Sequence, residues 1–448
     1  MRVTFLALAL CSLFAVASPV RAQTLPEALV SAYTHNPALM AERARLRAAD
    51  EKVSEALSGY RPSVEAVGGI GRSSQYAASM GTETLSPRDV GLNIKQPLFR
   101  GFRTQASVEA AEADVKAGRA ALENAEQELL YQAAKAYLNV IRSQKIFALT
   151  RHNEEILHTN LASTQEHFKV GEVTKTDISQ SESRLSAAAA RRIKAEGDLA
   201  NDRATYFRVI GAQSGALEQP TFPFDDSQKL HDIVETSIAK NPAVIASSFA
   251  RDSAKANVSF IKGNLLPEVS LVGSLSHAAD QSLMLPDRQS DATIMARVTI
   301  PLYNAGSDYA KTRAAQETAS QRRYEMEDVR NKVRELAIRA WQSLLTARAA
   351  IRATTSQKTA AELALHGVRE ERKAGTRTIL DVLNAEQEAL SANVDLVQAQ
   401  HDETLAILQI KAALGKLTAR ALDLKTDLYD PTLHYDNVRG KWFGTSVE

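Results

Sequence analysis

Between Asp291 and Ile300 apolar and polar residues alternate without a break. Ala292, Ile294, Ala296, Val298 and Ile300 fall on one face, and Thr293, Met295, Arg297 and Thr299 on the other. Period-two alternation predicts a β-strand with one apolar side. The same pattern stands earlier, where Val90, Leu92 and Ile94 oppose Gly91, Asn93 and Lys95. Each strand has a weaker partner before it: Val269, Leu271, Gly273 and Leu275 in one case, the glycine-rich run Val64 to Ser74 in the other. Polar loops near 77–89 and 278–291 are expected to join the partners, giving four strands in two pairs.

Beyond Pro97-Leu98-Phe99 and again beyond Pro301-Leu302-Tyr303 the period lengthens. Thr104 to Val170 contains no proline and one interior glycine, Gly118; Ser307 to Ala374 contains no proline and one glycine, Gly367. As helices, each run would be about 100 Å long at about 1.5 Å per residue. Apolar residues recur at alternating steps of four and three through Leu129, Ala133, Ala136 and Val140, and through Val333, Ala337, Ala340 and Leu344. That spacing is the mark of coiled-coil-like packing. Shorter helices return to about Ile210 and Leu414, and helices over about 25–58 and 230–263 open each half, interrupted early by Pro37 and Pro242. Two short helices stacked end to end would match one long one, so the pattern predicts two long helices and two stacked pairs.

These parallels make an internal duplication. A constant offset of 204 carries Pro97 onto Pro301, Gly171 onto Gly375, Asp177 onto Asp381 and Gly211 onto Gly415. The expected organisation is a first repeat over 23–215, a proline-marked linker over 216–229, a second repeat over 230–417 and a tail over 418–448. Residues 1–22 read as a secretory signal peptide: Arg2, an apolar run from Phe5 to Ala17, and a Val20-Arg21-Ala22 cleavage site. The single cysteine, Cys11, lies inside that segment, so the exported chain would carry no disulfide. A formal net charge of +1 supplies no basic signal for nucleic acid.

Strands that are apolar on one side and about ten residues long suit a transmembrane β-barrel. A sheet in lipid cannot leave an edge unpaired, and the smallest outer-membrane barrels have about eight strands. Four strands therefore imply either a non-membrane sheet or a barrel shared between chains, and three chains would give twelve strands.

The duplicated layout, the Pro-Leu-aromatic joins and the run Gly375-Thr376-Arg377-Thr378 with Asp381-Val382-Leu383 resemble the TolC-like outer-membrane factors of Gram-negative bacteria, across nearly all of residues 23–417. The resemblance implies a mainly α chain with four transmembrane strands. It implies a homotrimer whose 12-stranded β-barrel, set in outer-membrane lipid, continues into a long hollow α-helical barrel. Such a channel is the exit duct of tripartite efflux pumps and type I secretion systems, with a periplasmic adaptor (membrane fusion) protein and an inner-membrane transporter as partners. No cofactor and no enzymatic activity are implied.

The two glycine turns are the expected hairpin tips. Thr174 with Asp177 and Thr378 with Asp381 read as capping boxes, in which the acid satisfies helix-start amides. By resemblance the same region is a periplasmic gate formed by Thr176, Asp177, Arg372, Arg377, Asp381 and Asn384, with Arg372 and Arg377 engaging Asp177 in the closed state. Asn384 stands where the family has a second acid. Gly171, Glu172, Val173, Gly375 and Thr376 are the expected adaptor contacts. The nine histidines and the run Arg369 to Arg372 read as solvated helix positions, Gly68 to Gly71 as a small-residue strand, and Tyr137 and Trp341 as packing residues. A periplasmic adaptor or structural coiled-coil envelope protein is the competing reading, though an adaptor would lack the two alternating strand pairs.

Overall fold

The computed structural model describes residues 22–78, 81–222, 224, 227–282 and 287–446. All of the expected signal peptide except Ala22 lies outside the described residues. The chain opens with helices α1 (Leu25–His35) and α2 (Pro37–Leu57), and a 3-10 turn at Ser58–Tyr60 leads into strand β1 (Ser63–Ile70). Strands β2 (Ser73–Ala77) and β3 (Gly81–Leu85) form a ribbon, and β4 (Arg88–Arg100) runs back into α3 (Arg103–Lys169) and α4 (Lys175–Ile210). The order then recurs as α5 (Leu230–Lys240), α6 (Pro242–Lys262), β5 (Glu268–Ala279), β6 (Arg288–Thr299), α7 (Ser307–Lys373) and α8 (Ile379–Ala413), followed by a short α9 (Leu433–Val438).

The four expected strands form one antiparallel sheet in the order β1-β4-β5-β6. The expected loop near 77–89 is mostly strand instead, because β2 and β3 pair from Ser73–Leu85 to Ala77–Gly81, with Gly81 at positive φ. The register puts like with like. Val64, Ile94, Gly273 and Ile294 are consecutive cross-strand partners, as are Ala66, Leu92, Leu275 and Ala292. The alternate rows are polar, with Glu65, Asn93, Ser274 and Thr293 in line. One face is therefore apolar and the other polar. Val64, Val90, Leu275, Ile294 and Val298 are all exposed in the single chain, and β1 and β6 form the two outer edges.

The sheet meets the helices in a tight crossing. Gly101 and Phe102 both adopt positive φ between β4 and α3, and a Cβ on Gly101 would run into the Gly263 carbonyl. Pro97, which has no N–H to donate, sits where the β4–β5 register shifts.

Helices α3 and α7 are each 67 residues, hence about 100 Å. The expected seams are buried throughout, from Leu129 to Val140 and from Val333 to Leu344. The short helices are spliced end to end by asparagines. Asn36 donates from Nδ2 to the Val209 carbonyl, 3.0 Å away at the end of α4, while its Oδ1 accepts from Ala38 N at the start of α2. Asn241 does the same between Ala413 and Ala243, at 3.2 and 3.0 Å. One side chain thus caps two helices, and Pro37 or Pro242 begins the second helix at a position whose N–H would be unpaired anyway.

The largest core lies where α1, α3 and the end of α4 meet, around the fully buried Tyr137, Tyr206, Leu130 and Ile210. The Tyr137 hydroxyl lies 2.8 Å from the Gln23 carbonyl and 2.7 Å from that of Glu218. Trp341, its counterpart, is half-buried against Phe224. Burial lifts the Tyr206 phenol to about 12.

The tail is a strap rather than a free end. Ala419 N donates to Glu126 of α3, Tyr429 N to the Tyr33 hydroxyl of α1, and His434 Nδ1 lies 3.2 Å from Asp50 of α2. Arg439 pairs with Glu112 at 3.0 Å, and the Lys441 carbonyl accepts from Arg61 at 2.8 Å. His434 and the buried His401 depart from the solvated positions expected for histidines. His401 Nε2 lies 2.9 Å from Asn139 Oδ1, tying α8 to α3.

Candidate functional site

The tips repeat between the two halves, each with a glycine turn followed by a Thr-x-x-Asp helix start. Gly171 and Gly375 end the long helices at φ of +80° and +78°. Glu172 N donates to the His167 carbonyl and Gly171 N to that of Phe168; Thr376 N and Gly375 N repeat this with Glu371 and Arg372. This is the Schellman arrangement, which needs a left-handed residue that glycine supplies without strain.

Both capping boxes form. Thr174 Oγ1 accepts from Asp177 N at 3.3 Å while Asp177 Oδ2 accepts from Thr174 N at 2.8 Å, and Thr378 and Asp381 match them at 3.3 and 2.9 Å. These hydrogen bonds hold both carboxyls below the ordinary aspartate value. For Asp177 the Thr174 hydroxyl bond contributes most, and the charge of Arg372 adds a smaller share. For Asp381 the Thr378 amide bond leads, and Arg377 contributes least.

The expected cations divide. Arg377 Nε bonds Glu371 Oε2 at 2.7 Å within its own hairpin, so in the single chain it does not engage Asp177. Arg372 acts on Asp177 through its charge, and its Nη1 is buried without a partner. The run Arg369 to Arg372 is not simply a solvated face, since Arg369 of α7 pairs with the buried Glu386 of α8. Among the expected adaptor contacts, Glu172 pairs with His167 and Thr376 Oγ1 donates to the Glu371 carbonyl at 2.9 Å. Gly171, Glu172, Gly375 and Thr376 lie exposed on the tip turns, whereas Val173 is half-buried.

A seam missed in the sequence joins the two hairpins just behind the tips. Ile379 and Leu383 of α8 pack with Leu157 of α3 and with Leu185 and Ala188 of α4. On its flanks Arg184 donates to Asn384 Oδ1 at 2.8 Å, and Arg191 donates to Gln387. Asn384 thus accepts a hydrogen bond from the first hairpin. Residues 184, 188 and 191 lie on one face of α4 at helical spacing, the only hint the sequence held.

Each copy thus presents helices about 100 Å long that end in a sheet with one apolar and one polar face. The solved outer membrane channel CmeC of Campylobacter jejuni superposes with a TM-score of 0.79 at 15% identity, covering 93% of this chain and 89% of that one. The chain belongs to the outer membrane efflux protein family, which it matches over residues 28–212 and 233–416. It is 36% identical over 422 residues to the outer membrane efflux protein BepC of Brucella suis, covering 94% of this chain and 92% of BepC. It is 26% identical over 413 residues to the outer membrane protein TolC of Vibrio cholerae, covering 90% of this chain and 93% of TolC. The family is one of channel proteins, and it places the chain in the Gram-negative outer membrane.

Proposed function

We propose that the chain is the passive exit duct of a tripartite efflux pump or type I secretion system, working as a homotrimer and catalysing no reaction. The observation that carries this reading is the sheet. It has an exposed apolar face and two outer strands, β1 and β6, and in lipid such edges must be closed by further strands. Three copies give twelve. The signal peptide over 1–22 is removed on export, and the repeats over 23–215 and 230–417 build two hairpins per copy, joined by the linker over 216–229. A periplasmic adaptor meets Gly171, Glu172, Val173, Gly375 and Thr376, and an inner-membrane transporter feeds the duct.

The gate in this reading comprises Thr176, Asp177, Arg372, Arg377, Asp381 and Asn384, backed by the α4–α8 seam. Engagement of Asp177 by Arg377 requires exchange of the Glu371 pair. Opening moves α7 and α8 away from α3 and α4, which parts Leu383 from Leu157 and breaks the Arg184 and Arg191 bonds. With Asn384 in place of an acid, the entrance carries fewer negative charges and blocks cations weakly. Purified protein in a planar bilayer tests this: long-lived low-conductance pores are expected. Recovery as a soluble monomer that forms no pores refutes it.

A further inference from the structure

The tail follows α2 toward the sheet. Its successive contacts are Tyr33 on α1, Asp50 and Ser54 on α2 and Arg61 just past the 3-10 turn, and on α3 they are Glu126, Arg119 and Glu112. Helix α2 alone, from Pro37 to Leu57, spans about 30 Å of this course. The strap ends at the join between helix and sheet, because Arg61 lies two residues before β1 begins at Ser63. There the Trp442 ring lies over the Arg61 guanidinium at 4.8 Å, and Phe443 follows at 85% exposure.

A two-ring exposed end needs a reason, since the strap before it is held to the helices by named hydrogen bonds and ion pairs. Its neighbours in the chain's layout supply one. Tyr60 precedes β1, Phe102 follows β4 and Tyr303 follows β6, and all three are exposed. Each stands at a helix–strand join, so the aromatic rings gather at one level of the molecule. The amphipathic rings of Tyr60, Tyr303 and Trp442 suit the boundary between headgroups and acyl chains, and the apolar rings of Phe102 and Phe443 suit its acyl side. The cations Arg61 and Lys441 beside Trp442 suit lipid phosphates. A guanidinium stacked on an indole also keeps its in-plane donors available to acceptors at the ring's rim.

We propose that Trp442 and Phe443 are a membrane anchor: the tail strap inserts its aromatic tip into the phospholipid interface on the periplasmic side of the outer membrane, fixing the depth of the barrel. This rests on the reading of the sheet as membrane-embedded. The strap then couples that depth to the helical body, because the contacts at Glu126, Asp50 and Glu112 hold it along its length.

The chain contains two tryptophans, Trp341 and Trp442, so Trp341→Phe leaves Trp442 as the sole tryptophan, read by excitation at the red edge where tyrosine does not absorb. The full-length variant is reconstituted into phospholipid vesicles brominated either near the headgroup end or near the methyl end of the acyl chain. We expect quenching about twofold stronger from the headgroup-end bromines, as for an interfacial indole. Quenching by aqueous iodide with none from either lipid would place Trp442 in water and overturn the proposal. Shielding from iodide and from both lipids would mean that protein covers it, as a second copy would, and would also overturn it. A parallel variant with Trp341→Phe, Trp442→Phe and Ile294→Trp reports on the sheet itself. Quenching there without quenching at Trp442 sinks the anchor alone; no quenching at either site sinks the membrane reading of the sheet, and the anchor with it.

Discussion

Leu383→Ala is the substitution that most sharply separates two ways of holding the entrance closed. Leu383 is 1% exposed and packs with Ile379, Leu157 and Ala188 across the two hairpins. Truncating a buried leucine costs about 2–5 kcal/mol. Only the share of that burial supplied by the first hairpin is lost when the hairpins part, so we expect about 1–2 kcal/mol per copy against the closed state. The flanking bonds from Arg184 and Arg191 lie at the surface, where a hydrogen bond or charged pair contributes about 1 kcal/mol or less. At about 1.4 kcal/mol per decade, Leu383→Ala shifts the closed-to-open ratio about 5- to 30-fold per copy. Arg184→Ala shifts it about fivefold or less. Single-channel recording in planar bilayers reads both. Frequent high-conductance openings in Leu383→Ala, and fewer in Arg184→Ala, are expected. A closed Leu383→Ala channel alongside an open Asp177→Ala or Arg184→Ala channel would refute the apolar seam and assign closure to the charged residues.

Asn241→Ala removes a buried double cap and leaves the Ala413 carbonyl and Ala243 amide short of a partner; we expect a loss of about 1–3 kcal/mol, read by thermal melting. Arg369→Ala strands the buried carboxylate of Glu386, and should cost about 1–3 kcal/mol, less than for a fully buried pair because Arg369 is partly exposed. Both tip aspartates have depressed pKa values, so their capping is complete above the ordinary value of 3.8 and is lost only as the pH falls through lower values; tip amides should stay protected from hydrogen exchange down to that pH. Burial depresses His401, so the folded chain resists its protonation, and stability should fall as the pH drops through its ordinary 6.5; His401→Gln should flatten that slope in pH-dependent melts.

The elements most legible in the sequence are those whose stabilising partners repeat locally. Ala292 to Ile300 alternates because one face is apolar along its whole length, and the long helices show as runs without proline. The ribbon of β2 and β3 escaped because neither strand has an apolar face to alternate: Ser73-Ser74-Gln75 and Thr82-Glu83-Thr84 are polar throughout. The asparagine splices escaped for another reason. Asn36-Pro37 reads as a helix start, but the carbonyl it also caps belongs to Val209, 173 residues away. Distance in sequence hid the seam as well. Arg184 and Arg191 look like solvated helix positions until α8 is laid against them, and Arg369 looks solvated until Glu386 is found beneath it. The glycine turns and capping boxes at the tips were legible, since every group that satisfies them lies within six residues. The tail carried no periodicity, and its course is set by single contacts to α1, α2 and α3.

In a membrane-embedded trimer, neighbouring copies close both edges of the sheet. Disulfide cross-linking measures this directly, because the only cysteine, Cys11, lies in the expected signal peptide. Ile294→Cys on β6 is combined with single cysteines scanned along β1 from Val64 to Ile70, and the proteins are oxidised in outer-membrane preparations. At least one pair should yield a covalent trimer on denaturing gels, reversed by reduction, while each single variant yields none. Monomers alone at every position of the scan would contradict that closure.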